Sequence, residues 1–76
     1  MRFAWRLRWT APAVRALRSL PWQQGARVDA AVQRFASTGE GDLVRLPSDH
    51  AVTIRLRATP YSVFMTADPA AHVLTV

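Results

Sequence analysis

The stretch Thr53-Ile54-Arg55-Leu56-Arg57-Ala58-Thr59-Pro60-Tyr61-Ser62-Val63-Phe64 decides how this chain reads. It describes two strands joined by a tight turn. Period-two alternation sets Arg55 and Arg57 on one face and the aliphatic Ile54 and Leu56 on the other. Pro60 has no N–H to give a ladder, so it belongs at a strand start or in the turn. Just upstream, Gly41-Asp42-Leu43-Val44-Arg45-Leu46 is a short strand opened by a Gly-Asp step.

Working outward, Pro47-Ser48-Asp49 and Ala67-Asp68-Pro69 carry turn residues. Strands are expected over about 42–46, 51–57, 60–66 and 72–76. At the other end, Phe3, Trp5, Leu7 and Trp9 alternate with Ala4, Arg6 and Arg8, a strand with one apolar and one basic face. The same Trp/Arg interleaving occurs in membrane-active peptides, but the clean alternation favours a strand whose odd face packs on helices. Thr10 is a helix N-cap, and Pro12 sits in the first turn, where a missing N–H is harmless. Val14, Leu17 and Leu20 recur at helical spacing with Arg15 and Arg18 between them, and the helix ends before Pro21.

Pro21 opens a second helix to about Thr38, with Val28, Ala31, Val32 and Phe35 as its buried stripe and Gly39 and Gly41 past its end. Arg27, Asp29, Gln33 and Arg34 face solvent. The short joint makes the two helices an αα-hairpin, and Trp22 at the joint either caps the core or marks an exposed contact for a partner. The pattern β-α-α-β-β-β-β predicts an α+β fold: an N-terminal strand, a helical hairpin, then an antiparallel sheet of about four strands covered on one face. Residues 1–76 read as one domain, with no repeat and no linker.

A domain this small buries only about 60% of its unfolded surface, so its stability margin is thin and a partner would help to cover it. Hydrophobic residues make up 50% of the chain, which argues against disorder. There is no cysteine, hence no disulfide and no thiolate metal site. The net charge is +5, and all ten basic residues are arginine. Guanidinium forks suit phosphate and carboxylate, although a GC-rich coding sequence gives the same composition. Residues 1–28 hold six arginines and no acid (+6), whereas residues 29–76 hold four arginines and five acids (−1). A basic N-terminal third implies a polyanionic surface or an acidic partner.

No apolar run approaches the ~20 residues of a membrane span, and Arg6 and Arg8 interrupt what would be the core of a signal peptide. A cytoplasmic protein is expected. No Gly-rich phosphate loop, Ser-His-Asp arrangement or paired-carboxylate site is visible. His50, beside a turn, and His72, at the start of the last strand, lack companion ligands and read as solvent-exposed. No metal or cofactor is expected.

Three segments carry a family resemblance. Leu7-Arg8-Trp9-Thr10-Ala11-Pro12-Ala13 resembles the strand and T-x-x-A helix entry of the RelE/ParE superfamily of small bacterial toxins. Leu17-Arg18-Ser19-Leu20-Pro21 resembles its L-x-x-L-P joint, and Arg55-Leu56-Arg57 followed by Tyr61 its R-L-R-x-G-x-Y-R hairpin. In order and spacing the resemblance runs from residue 3 to 76. It implies the toxin of a type II toxin–antitoxin pair. RelE-like members cut messenger RNA in the ribosomal A site, ParE-like members inhibit DNA gyrase, and a cognate antitoxin protein silences both. The resemblance sets Arg55 and Arg57, with the hairpin's Tyr61, at the catalytic positions. From their shared strand face alone, Arg55 and Arg57 read as a phosphate-binding pair, as a solvated face or as a pair for an antitoxin's carboxylates, and Arg45 on the neighbouring strand extends the nucleic-acid-binding patch.

The chain also departs from that pattern. Ser62 stands where most of the family has arginine, Thr59-Pro60 replaces a Gly-Asp turn, and the family's terminal Arg and Tyr beyond the last strand have no counterpart in these 76 residues. Cleavage by 2′-OH attack needs groups that carry protons. Arginine serves the phosphate charge but stays protonated, which leaves Tyr61, His50 and His72. The expected function is growth inhibition at translation, by mRNA cleavage or by ribosome blockade. The alternatives are gyrase inhibition, a decayed toxin that binds only its antitoxin, and a generic basic binder of nucleic acid or membrane surfaces.

Overall fold

Thr10 starts the first helix as its residue type dictates. Its backbone is extended, its side-chain oxygen accepts a hydrogen bond from the Ala13 N–H (3.3 Å), and its carbonyl accepts from the Val14 N–H (3.0 Å). A computed structural model describes residues 4–47 and 52–76 of the chain. Their elements are β1 (Arg6–Arg8), α1 (Ala11–Arg18), α2 (Trp22–Thr38), β2 (Asp42–Pro47), β3 (Val52–Ala58), β4 (Tyr61–Asp68) and β5 (Val73–Thr75). The order is the one expected. Helix α1 closes at Ser19, whose hydroxyl donates to the Ala16 carbonyl (2.6 Å), and Pro21 prevents its continuation. Helix α2 ends at Gly39, left-handed at φ 76°, whose N–H donates to the Phe35 carbonyl (2.8 Å). Glycine takes this position without the steric cost of a Cβ.

All five strands form one sheet in the order β1-β5-β4-β3-β2. The strands β2, β3, β4 and β5 are antiparallel neighbours, whereas β1 lies parallel to β5, with Leu7 opposite Leu74. This corrects the expectation of an antiparallel sheet of about four strands. The N-terminal strand joins the same sheet, making it five-stranded and mixed. The helical hairpin and the strands β2, β3 and β4 lie between these two along the chain, so the parallel pair is joined by a long connection and not by a tight turn. Thr10 fastens this seam: its hydroxyl donates to the Val76 carbonyl (2.8 Å), and the Val76 N–H donates to the Arg8 carbonyl (2.8 Å).

One face of the sheet is covered. Leu56, Met65, Leu74 and Val32 of α2 are almost fully buried, joined by Val28, Phe35, Ala36, Ile54, Val63 and Ala67. Trp5, Leu7 and Trp9 pack at the margin of this core, as the alternation predicted. Each fully buried large aliphatic contributes about 1.5–3 kcal/mol. Helix α1 is the looser element, with no fully buried residue; its Leu17 is half-buried, as is Leu20 in the joint that follows.

Three local readings are corrected. Trp22 is 77% exposed and caps no core, because it begins α2 on the outer side of the helical joint. Strand β4 continues through Asp68 into the expected turn. The Asp68 carboxylate then accepts from the N–H groups of Ala70 (3.1 Å) and Ala71 (3.2 Å), the local bonding that suits aspartate to turns. His72 does not begin the last strand, because it is left-handed at φ 54°. Phe3, Ser48, Asp49 and His50 lie outside the described residues, and with them most of the Pro47-Ser48-Asp49 turn.

Candidate functional site

Among the described residues the second face of the sheet carries no helix. Cross-strand register defines it as rows of neighbours. Asp42, Arg57 and Ser62 form one row, and Val44, Arg55 and Phe64 the next. Leu46, Thr53, Thr66, Thr75 and Arg8 form a third, and Asp68, Val73 and Arg6 a fourth. Four arginines and two aspartates therefore share this face. It also exposes three large apolar side chains: Phe64 (57%), Leu46 (41%) and Val44 (39%).

Arg55 and Arg57 lie side by side on β3, as their spacing required. Their surroundings differ. Arg57 is exposed and makes a loose ion pair with Asp42 (Nε to Oδ2, 3.7 Å), the kind of surface pair that adds little. Arg55 is half-buried between its cross-strand neighbours Val44 and Phe64. Its Nε is shielded from solvent and has no hydrogen-bond partner among the described residues. A shielded donor of this kind favours an acceptor brought to it by another molecule.

Tyr61 and Arg45 do not join this pair. Tyr61 stands opposite Ala58 on the helix side, where its hydroxyl donates to Gln24 Oε1 on α2. That bond closes one wall of a cavity of about 340 Å³ bordered by Gln24, Arg27, Ala31 and Pro60. Arg45 stands opposite Ile54 and so also faces the helix side, beside Leu43 and Val52 at the outer edge of the sheet. The three residues assigned to catalysis are thus split between two faces, as are the three assigned to nucleic-acid binding.

Arg6, Arg8 and the Thr53-Thr66-Thr75 row complete the open face, and sequence reasoning missed them as part of it. The basic face of β1 was legible, but its place beside β5 was not. His72 stacks on Trp5 (ring centroids 5.0 Å apart, planes at 19°), and Trp5 packs on the helix-side core. Among the described residues the open face therefore has no histidine, tyrosine or lysine. Nor do three His, Asp or Glu side chains gather among them to hold a metal ion. No helix of the described residues is long and apolar enough to cross a membrane. Comparison with protein-family models, with curated proteins and with solved structures finds no match to this chain.

Proposed function

We infer that this chain is a growth-inhibiting toxin of the RelE/ParE kind, acting in the cytoplasm on translation and silenced by a cognate antitoxin protein. The observation that carries this reading is the open sheet face, with Arg55 and Arg57 adjacent and Phe64 exposed beside them. Two guanidinium groups on one strand match successive phosphates, and an exposed aromatic ring offers a base a stacking surface. Arg6 and Arg8 extend the positive field across the sheet. The sequence resemblance supplies the class of target.

The mode this geometry supports is blockade of the ribosome or its message by binding. Proton transfer to and from a scissile phosphate would call on Tyr61 or a histidine, and Tyr61 is committed to Gln24 on the other side of the sheet. The same observation favours a second reading, gyrase inhibition of the ParE type, which makes no demand for proton carriers.

The test is pulse labelling of protein and DNA synthesis after induction of the chain in cells that lack the antitoxin. Early arrest of protein synthesis, relieved by Arg55→Ala/Arg57→Ala, is the expected result. Early arrest of DNA synthesis would select the gyrase reading. If neither synthesis slows while the protein is folded, the toxin reading fails.

A further inference from the structure

Two segments meet at the cavity that Tyr61 closes. Helix α2 contributes Gln24, Arg27, Val28 and Ala31. Steps of three, four and seven residues from Gln24 put these side chains on one face of the helix. Opposite them stands the joint between β3 and β4, Ala58-Thr59-Pro60-Tyr61. Ala31 and Ala58 both end at Cβ, so neither side chain reaches across, and a space of about 340 Å³ is left between helix and joint. The bond from the Tyr61 hydroxyl to Gln24 Oε1 spans the two segments and ties them together.

The polar side chains at this space have donors to give. Because Gln24 Oε1 accepts from Tyr61, the amide N–H groups of Gln24 are left for another acceptor. The Arg27 side chain is exposed and has no ion-pair partner among the described residues. Its guanidinium carries five N–H donors in a planar fork. The Thr59 hydroxyl adds another donor, and no aspartate or glutamate borders the cavity. Val28, Ala31, Ala58 and Pro60 supply apolar walls. The cavity beside Trp22, by contrast, is bordered by both Arg18 and Asp29, whose charges offset. Pockets for small molecules share the make-up seen at Tyr61: a volume above about 300 Å³, apolar walls and a few convergent polar groups.

We propose that this cavity binds a small monocarboxylate with an apolar body, such as an arylacetate, as a free molecule. Its carboxylate takes the fork of Arg27, supported by the Gln24 amide. Its ring lies between Val28, Ala31, Ala58 and Pro60. Guanidinium and carboxylate match in plane and charge, which makes their hydrogen bonds stronger than neutral ones. Inorganic phosphate would leave the apolar walls unfilled. The bound molecule bridges α2 and the β3–β4 joint, and so stabilises the folded chain as its concentration rises. The site lies on the helix side of the sheet, away from the face of Arg55 and Arg57, and stands whether or not the chain is a toxin.

The probe is phenylacetate, titrated into the isotope-labelled protein and followed by amide NMR. The expected result is saturable shifts centred on residues 24–31 and 58–61, half complete below ~1 mM, and a melting temperature that rises with phenylacetate. Phenylacetamide keeps the shape without the charge and should bind about fivefold more weakly. Acetate keeps the charge without the ring and should bind at least about tenfold more weakly. Arg27→Gln should weaken phenylacetate binding about fivefold. Its own melting temperature should match the parent's, because the side chain is exposed and glutamine suits a helix. Absence of shifts at ~10 mM phenylacetate, shifts centred on Arg55 and Arg57, equal binding of phenylacetamide or of acetate, or undiminished binding by folded Arg27→Gln protein would each overturn the proposal. Pulse labelling does not enter this outcome, so the cavity and the toxin reading can each fail alone.

Discussion

Replacing Gly41 by alanine tests a tight contact at the start of β2. A Cβ at Gly41 would stand 2.7 Å from Leu56 Cδ1, closer than carbon atoms approach. Leu56 cannot swing aside cheaply, because it is 1% exposed on a strand with neighbours on both edges. Overpacking of this kind costs about 1–3 kcal/mol. Leu56→Ala removes the obstructing atom and leaves a cavity, at a cost of about 2–5 kcal/mol. A domain of this size holds about 4–11 kcal/mol in all, so the Leu56→Ala loss takes up a large share of it, and Leu56→Val is the milder substitute where Leu56→Ala does not fold.

In the double variant the new methyl group enters space that Leu56 vacated. Its total cost should fall short of the sum of the two singles by at least about 1 kcal/mol. The assay is urea unfolding followed by far-UV circular dichroism, with all four proteins compared at a common slope. Gly41→Ala alone should lower the melting temperature by about 4–8 °C for each kcal/mol lost. Additivity within about 0.5 kcal/mol would refute the argument, because it would mean that the two positions do not share one space.

Three further outcomes follow from single contacts. Thr10→Ala removes the cap on α1 and the hydroxyl bond to Val76; it should cost about 1 kcal/mol in thermal melts, whereas Thr10→Ser keeps most of that stability. Tyr61→Phe loses the bond to Gln24 and should cost about 0.5–1.5 kcal/mol in urea unfolding. Growth inhibition on induction should stay intact in that variant, since the hydroxyl faces away from the open sheet. Trp22→Ser should move stability by no more than about 0.5 kcal/mol, because the ring is 77% exposed; a larger loss would show that it packs on the core.

What could be read from the sequence was what neighbours along the chain decide. Thr10, Pro12, Pro21 and Gly39 punctuate the helices through their own backbone chemistry. The period-two runs around Trp5, Ile54 and Val63 show which side chains turn inward. What escaped depends on how separate strands meet. The Asp42–Leu46 run has no clean alternation, so only its pairing with β3 reveals that Arg45 shares a face with Ile54 rather than with Arg55. The side taken by Tyr61 follows from the two-residue turn Thr59-Pro60, which sets Tyr61 opposite Ala58. A turn one residue longer would have reversed it. Arg6 and Arg8 reach the candidate site only through the β1–β5 pairing, a partnership between the two ends of the chain that no local pattern announces. The candidate site was thus legible as an arginine pair, but not as a face.

The seam between β1 and β5 also bears on how the protein is made. Arg6 leaves the ribosome before Val73, its sheet neighbour, and waits until every residue between them has been synthesised. Through that interval β1 has no sheet to join, and its Trp5, Leu7 and Trp9 remain without their side of the core. Contacts that close so large a loop form late and slow the folding of the whole domain. While this domain is being made it is therefore an incomplete sheet, with the apolar face of β1 uncovered until β5 arrives.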